Sequence, residues 1–157
     1  FPTHALPILI QTAGVAQAAF EVIKTTLIQR DAAPVSRGEV VLATVKGDIH
    51  DIGKNIVRVL LENYGYTVLD LGKDVPCQLV ADTAKEHNVK LVGLSALMTT
   101  TLGAMEETIQ LVKAACPDCK VVVGGAVLTA DYAEKIGADF YAKDAMETVA
   151  VAKQIVG

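Results

Sequence analysis

The segment Val45–Asn55, VKGDIHDIGKN, decides how this chain folds. It follows an apolar run, VVLATV at residues 40–45, which predicts a strand buried on both faces. It precedes a second apolar run, IVRVLL at residues 56–61, which predicts a helix. The segment between them is therefore a strand-to-helix loop. In a parallel α/β sheet such loops open at the carboxyl edge, where these folds bind ligands. Asp48 and His50 on this loop are candidates for a binding site.

Strand and helix patterns alternate from Glu39 to the end of the chain. Strands are predicted near residues 39–45, 67–71, 90–95, 120–124 and 139–141. Helices are predicted near residues 54–64, 77–87, 102–115, 130–136 and 146–155. Because crossovers between parallel strands are right-handed, five such units predict a five-stranded parallel sheet with helices on both faces. The expected strand order is 2-1-3-4-5, a flavodoxin-like and hence Rossmann-like α/β fold.

The residues before this domain predict a single helix and a linker. Apolar side chains recur at roughly helical spacing over residues 5–29, which indicates one amphipathic helix. Residues 31–38 break this pattern with Pro34, Ser36 and Gly38. A lone amphipathic helix cannot bury its apolar stripe by itself, and the chain starts at Phe1 without a methionine. We interpret the chain as a fragment of a longer protein.

The composition restricts the class of protein. A chain of 157 residues suffices for one α/β domain with a short appendage. A net charge of −4 gives no electrostatic reason to expect a nucleic-acid partner. No apolar run is long enough to span a bilayer and no signal peptide opens the sequence, so no membrane association is expected. Three cysteines, Cys77, Cys116 and Cys119, are too few for a disulfide scaffold, and a cytoplasmic location is expected.

Three unusual loops follow strands one, three and four. They carry Asp48, His50 and Gly53; the run SALMTTT at residues 95–101; and Gly124-Gly125. In the expected strand order these strands are neighbours, so the loops converge on one crevice. Each loop alone has a purely structural explanation, since Asp48 could cap a helix, hydroxyls often satisfy backbone groups at helix starts, and paired glycines form tight turns. Together, an imidazole, several hydroxyls and a glycine floor indicate a cofactor that is large, planar and polar at one end.

This combination resembles the cobalamin-binding domain of B12-dependent methyltransferases, and the resemblance covers nearly the whole chain. The matching motifs are DIHDIGKN at residues 48–55, Ser95-Ala96-Leu97 followed by Thr99 and Thr101, and Gly124-Gly125. The helix predicted before the linker is similar to the last helix of the four-helix cap in that family. The resemblance therefore divides the chain into a cap remnant at residues 1–30, a linker at 31–38 and a cobalamin-binding domain at 39–157.

The resemblance implies roles for individual residues. His50 would be the metal ligand, binding cobalt from the lower face in place of the cofactor's own dimethylbenzimidazole, the base-off/His-on form. Asp48 would accept a hydrogen bond from the other ring nitrogen of His50, and the Thr101 hydroxyl would be the next link. These three residues are the predicted catalytic group. The remaining predicted cofactor contacts are Asp51, Ile52, Gly53, Ser95, Leu97, Thr99, Gly124 and Gly125, with Leu6 and Leu9 shielding the methyl group from the cap.

The implied function is methyl transfer through cobalamin, which carries the methyl group as methylcobalamin. The interpretation preferred from the sequence is a methyltetrahydrofolate–homocysteine methyltransferase that serves methionine biosynthesis. Its expected partners are folate- and homocysteine-binding domains or subunits, which supply and accept the methyl group, and a reactivation partner. The isolated domain is not expected to catalyse the transfer alone.

Other functions stay open at this point. A separate corrinoid protein of a methanol, methylamine or methoxyarene methyltransferase system shares the three motifs. A B12-dependent regulator or light sensor also joins a helical cap to this fold. A mutase is disfavoured because Ile52 stands where mutases have an arginine. A flavodoxin-like module without a corrin is the remaining alternative.

Features away from the crevice have structural explanations. Cys116 and Cys119 have the spacing of a redox pair or half a zinc site, but they lie at the opposite edge with no second pair, so a turn is predicted. His87 is interpreted as a helix-end residue. Tyr141 and Asp144 follow the fifth strand and are candidate contacts for the nucleotide tail of the cofactor.

Overall fold

A computed structural model gives the coordinates of the chain, and it describes residues 14–19, 21–22 and 36–157. The chain forms two compact units, Phe1–Val35 and Ser36–Gly157. In the first unit, residues 14–19 and 21–22 are helical. Most of the helix and linker predicted before residue 39 lies outside the described residues, as do Leu6 and Leu9. The proposed domain boundaries therefore stay a prediction.

The second unit is built on five parallel strands. They are β1 (Glu39–Thr44), β2 (Thr67–Asp70), β3 (Leu91–Ser95), β4 (Lys120–Gly124) and β5 (Phe140–Tyr141). Their order is β2-β1-β3-β4-β5, which confirms the predicted fold class and topology. The ends of three strands are in register, because Thr44 of β1 pairs with Ser95 of β3, and Ser95 pairs with Gly124 of β4. The loops that follow these strands consequently start at the same level.

Helices cover both faces of the sheet. They are α1 (Ile52–Asn63), α2 (Cys77–Glu86), α3 (Leu102–Ala115), α4 (Ala130–Lys135) and α5 (Ala145–Ile155), with a 3₁₀ turn at Thr99–Thr101. Side chains alternate along β1, so that Val41 belongs to the hydrophobic core beneath α2 and α3. Its neighbours Val40 and Leu42 belong to the core beneath α1 and α5. This explains why the run at residues 40–45 is apolar at almost every position.

The loop between α3 and β4 is a turn, as predicted. The Cys119 amide donates to the Cys116 carbonyl across 3.0 Å, and both thiols are buried and free. Burial raises the pKa of the Cys119 thiol to about 12, and the neighbouring Cys116 and Asp139 act in the same direction. Such a thiol resists forming the nucleophilic thiolate. Within the described ranges, no group of three or more His, Cys, Asp or Glu side chains is arranged to hold a metal ion.

Among the residues that the structure describes, no helix combines the length and the apolar character that crossing a bilayer requires. The cytoplasmic location stays a prediction.

Candidate functional site

The site is organised around the carboxylate of Asp48, which is completely buried in the loop after β1. Its Oδ1 accepts hydrogen bonds from the backbone amide of His50 at 3.0 Å and from His50 Nδ1 at 2.7 Å. Its Oδ2 accepts from the backbone amides of Leu97 and Met98, at 2.7 and 3.1 Å, in the loop after β3. One carboxylate therefore joins the loops of two neighbouring strands.

These hydrogen bonds keep Asp48 ionised. Burial alone would raise the pKa of the Asp48 carboxyl, because a charge is poorly solvated inside the protein. The backbone amides of His50 and Leu97 and the side chains of His50 and Thr101 outweigh that effect and hold the pKa well below its usual range. Asp48 is thus a permanent negative charge beside the imidazole at neutral pH.

The contact with Asp48 determines which nitrogen of His50 is available. An ionised carboxylate only accepts hydrogen bonds, so Nδ1 carries a proton and donates it across the 2.7 Å contact. In the neutral imidazole Nε2 then holds a free electron pair. The side chain of His50 is 46% exposed and borders the crevice. This is the arrangement that a metal-binding histidine requires, with a carboxylate that fixes its tautomer and orientation.

Thr101 supplies the next link that the sequence predicted. Its hydroxyl lies 3.1 Å from Asp48 Oδ2 and 2.7 Å from the carbonyl oxygen of Met98. A hydroxyl has one proton, so it shares or alternates that proton between the two acceptors. Thr101 is buried and contacts Asp48 from the side away from His50.

The alternative in which Asp48 caps the following helix is wrong. Asp51 is the residue at the N-cap of α1, and its own side chain makes no capping hydrogen bond. The carboxylate of Asp48 instead faces His50 and the loop after β3. The helix starts at Ile52, two residues before the predicted position, because the apolar pattern begins later than the hydrogen-bonded turn.

A cavity of about 710 Å³ opens beside His50 at the carboxyl edge of the sheet. It extends between β3, β4 and the helices α1 and α5, on the face that carries Leu42 and Val122. Its wall is predominantly apolar. Of the predicted contact residues, the structure places these along it: His50, Asp51, Ile52, Gly53, Ser95, Leu97, Gly124 and Gly125.

Some predicted contacts lie elsewhere. Asp48 and Thr101 are behind His50 and do not line the cavity, and Thr99 is exposed in the 3₁₀ turn, away from the cavity wall.

Tyr141 and Asp144, which the sequence offered as contacts for the nucleotide tail of the cofactor, do line the cavity. Both side chains already form hydrogen bonds within the protein. The Tyr141 hydroxyl donates to the carbonyl of Leu128, and Asp144 caps α5 by accepting from the amide of Glu147.

Two features of the cavity were missed in the sequence. Gly93 lines its floor from the middle of β3, and glycine inside a buried strand is a signal of close approach by another group.

Lys54 also borders the cavity, although its side chain is only 3% exposed. Its ammonium group lies 2.6 Å from Asp70 and 3.0 Å from the side-chain oxygen of Asn55. The ion pair attaches the first turn of α1 to the end of β2. The sequence did not predict this pair, because a single lysine in a mainly apolar helix does not indicate its partner.

Gly125 forms the tightest part of the cavity wall. Its φ is +134°, and a Cβ on this residue would lie 1.8 Å from the carbonyl oxygen of Ala96. Only glycine allows the loop after β4 to pass this close to the loop after β3. The predicted glycine floor is therefore a backbone contact between two neighbouring loops.

Comparisons with known proteins agree on one family. The family model described as "B12 binding domain" matches residues 38–150. Dimethylamine corrinoid protein 1 of Methanosarcina acetivorans is 43% identical over 153 residues, which are 96% of this chain and 71% of that protein. A crystal structure of a cobalamin-binding protein from Desulfitobacterium hafniense superimposes with a TM-score of 0.78 at 38% identity, over 92% of this chain and 71% of that chain.

A second solved structure extends the comparison. The methanol:cobalamin methyltransferase complex from Methanosarcina barkeri contains a similar chain, with a TM-score of 0.80 at 33% identity over 90% of this chain and 55% of that chain. These relatives do not support the methionine synthase interpretation preferred from the sequence. The alternative, a corrinoid protein of a methylamine or methanol system, agrees with them better.

We expect Gly125→Ala to destabilise the domain by about 1–3 kcal/mol, because the added methyl group would overlap the backbone of Ala96. Chemical denaturation followed by circular dichroism measures the change. Gly103→Ala is the matched control, because a Cβ there meets nothing within 4 Å. It should raise the free energy of unfolding by about 0.4–1 kcal/mol. Equal effects of the two substitutions would contradict the close approach.

The lowered pKa of Asp48 predicts how stability depends on pH. A carboxyl with a lowered pKa in the folded state stabilises the fold above its unfolded pKa of about 3.9, and this contribution is lost as the pH falls further. Asp48→Asn should therefore differ most from the wild type near pH 7 and least in strong acid. Urea denaturation across this range measures the difference. Asp118→Asn, in the exposed turn before β4, is the control and should show no such convergence.

Proposed function

Because this chain belongs to the B12-binding domain family, among the corrinoid proteins, and binds cobalamin, we propose that it is the methyl-carrying corrinoid protein of a methylamine methyltransferase system. The observation that carries this proposal is the pairing of a half-exposed His50 with a buried, ionised Asp48 at the rim of a large apolar cavity. The similarity to a dimethylamine corrinoid protein supports the methylamine specificity.

The residues at the crevice fit cobalamin. The free Nε2 of His50 would be the ligand for cobalt, since imidazole nitrogen suits such transition metals. The cavity beside it has apolar walls, including Leu42, Val57 and Val122, which suit a flat aromatic base. Three exposed apolar side chains on the His50 loop and α1 offer a surface for the corrin: Ile49, Ile52 and Ile56, which are 42–64% exposed.

When bound, cobalamin supplies a cobalt centre that accepts a methyl group from a donor and releases it to an acceptor. The residues of this chain hold and orient that centre. His50 would ligate cobalt through Nε2, while Asp48 keeps the proton on Nδ1 and fixes the plane of the ring. Thr101 holds the far oxygen of Asp48 in place.

The proposed system needs further proteins. We propose that the methyl donor and the methyl acceptor bind to separate methyltransferase subunits. The solved methanol:cobalamin methyltransferase complex, which contains a chain similar to this one, supports a partner of this kind. We propose that residues 39–157 form the cobalamin-binding domain and that residues 1–30 belong to a helical cap domain. The three buried free thiols suit a reducing cytoplasm.

His50→Ala tests the ligand directly. The wild type, reconstituted with hydroxocobalamin and desalted, should be red, and its reduced cobalt(II) form should show nitrogen splitting in its electron paramagnetic resonance spectrum. Labelling the histidines with ¹⁵N should change the multiplicity of that splitting, because the ligand nitrogen comes from the protein. His50→Ala should abolish this isotope effect while retaining part of the cofactor.

His87→Ala is the matched control for this experiment. His87 is also partly exposed and lies 3.4 Å from a carboxylate, Glu39, but it sits at the end of α2 on the opposite edge of the sheet. Its substitution should leave the spectrum unchanged. A wild-type spectrum without any ¹⁵N effect would show that His50 is not the ligand.

Assays with partner enzymes test the identity of the methyl donor. The reconstituted, reduced chain should gain a methyl group from dimethylamine in the presence of a Methanosarcina dimethylamine methyltransferase, as absorbance of the cofactor would show. Methanol with its own methyltransferase should give a rate at least about tenfold lower, since the specificity resides in the contact between subunits. Faster methylation from methanol would contradict the methylamine assignment without affecting cobalamin binding.

A further inference from the structure

Asp74 has an unusual backbone conformation beside the His50 loop. It lies between β2 and α2 with φ of +51°, in the left-handed region that residues other than glycine rarely adopt. Within residues 36–157, one other non-glycine residue has a positive φ: Asn88, at +49°. Asn88 follows the end of α2, where this conformation commonly terminates a helix. Asp74 precedes a helix, so its conformation needs another explanation.

The contacts of Asp74 supply that explanation. Its Oδ1 accepts a hydrogen bond from the backbone amide of Gly47 at 2.7 Å. Its own backbone amide donates to the carbonyl oxygen of Asp48 at 2.9 Å. One residue therefore holds two consecutive residues of the loop that leads to His50, through its side chain and its main chain together.

The adjacent residues join the same loop to β1. Val75 forms a parallel bridge with Val45, and its amide donates to the carbonyl of Thr44 at 3.1 Å. The left-handed turn at Asp74 comes directly before this bridge. It thus directs the amide of Asp74 at Asp48 while Val75 stays paired with β1.

This arrangement complements the contacts of the Asp48 carboxylate. The loop after β3 holds that carboxylate through the amides of Leu97 and Met98. Asp74 holds the backbone of the same residue from the loop after β2. Gly47, with φ of +86°, has no side chain of its own to fix its position. The hydrogen bond from its amide to Asp74 restrains this flexible point.

We propose that Asp74 is a positioning residue for the metal ligand: it fixes Gly47 and Asp48, and through them the orientation of the His50 imidazole. The inference rests on the proposed function, in which His50 ligates cobalt. Asp74 does not act on the cofactor itself, and it lies outside the set of residues that border the cavity.

Asp74→Gly separates the side chain from the backbone conformation. Glycine adopts positive φ readily, so the turn is retained while the acceptor for the Gly47 amide is lost. Asp74→Asn keeps both an acceptor oxygen and tolerance of the left-handed region, and should restore most of the wild-type behaviour. Asn88→Gly is the matched control, because it makes the same kind of change at the other left-handed residue, away from the site.

Two measurements test the proposal. In the chain without cofactor, the amide of Gly47 should exchange its hydrogen about two- to tenfold faster in Asp74→Gly, the effect of losing one ordinary hydrogen bond. In the cobalamin-loaded chain, the fraction of cobalt(II) that shows the ¹⁵N-histidine splitting should fall in Asp74→Gly. Asp74→Asn should stay near the wild type in both, and Asn88→Gly should change neither, even if thermal unfolding shows the two glycine variants to be equally destabilised.

The outcomes distinguish this inference from the function on which it rests. A wild type without histidine splitting would overturn the ligand assignment of His50, whatever Asp74 does. A wild type with the splitting, and an Asp74→Gly variant that matches Asn88→Gly in both spectrum and exchange, would overturn the positioning role alone. Faster exchange at Gly47 together with an unchanged spectrum would also overturn it, because the restraint would then not reach His50.

Discussion

The buried charge of Asp48 is the constraint on which the site depends. A carboxylate removed from water is costly unless donors surround it. Five donors do so here: two from His50, the amides of Leu97 and Met98, and the hydroxyl of Thr101. The three backbone amides and the Thr101 hydroxyl cannot all move away without leaving the charge unsatisfied. The loops after β1 and β3 are therefore held together by electrostatics, whereas apolar packing holds the strands from which they emerge.

The sheet determines where these loops meet. β1, β3 and β4 end in register, so an imidazole, a carboxylate and a pair of glycines arrive at one level of one edge. Gly93, Gly124 and Gly125 line the cavity beside them, and the missing Cβ of each lets neighbouring protein groups pack close to its backbone. The fold therefore builds the site. Parallel topology brings the loops together, and the residue types at the strand ends decide what can bind there.

Much of this was predictable from local patterns. Apolar runs indicated the five strands, and the handedness of crossovers reduced the possible strand orders, so that three loops could be placed at one crevice before any coordinates. The grouping of His50, Asp48 and Thr101 came from the resemblance to cobalamin-binding domains. The backbone donors Leu97 and Met98, some 49 and 50 positions from Asp48, were not predictable, because any residue supplies an amide. Asp74 and the Lys54–Asp70 pair were missed for a similar reason, since their partners lie far away along the chain. The motifs describe the cofactor and not the methyl donor, so they could not distinguish methionine synthase from a separate corrinoid protein.

The hydrogen bonds divide the site into a fixed part and a movable part. If the ring of His50 turns away, Asp48 loses one donor and keeps four, from the His50 amide, Leu97, Met98 and Thr101. The imidazole is half-exposed and has one side-chain hydrogen bond, so its rotation requires no rearrangement of the loop. For a residue that would ligate cobalt through Nε2, as proposed, this separation lets the ring adjust without disturbing the carboxylate. The carboxylate gives the ring a definite resting orientation, and the other four donors ensure that its departure leaves the buried charge largely satisfied.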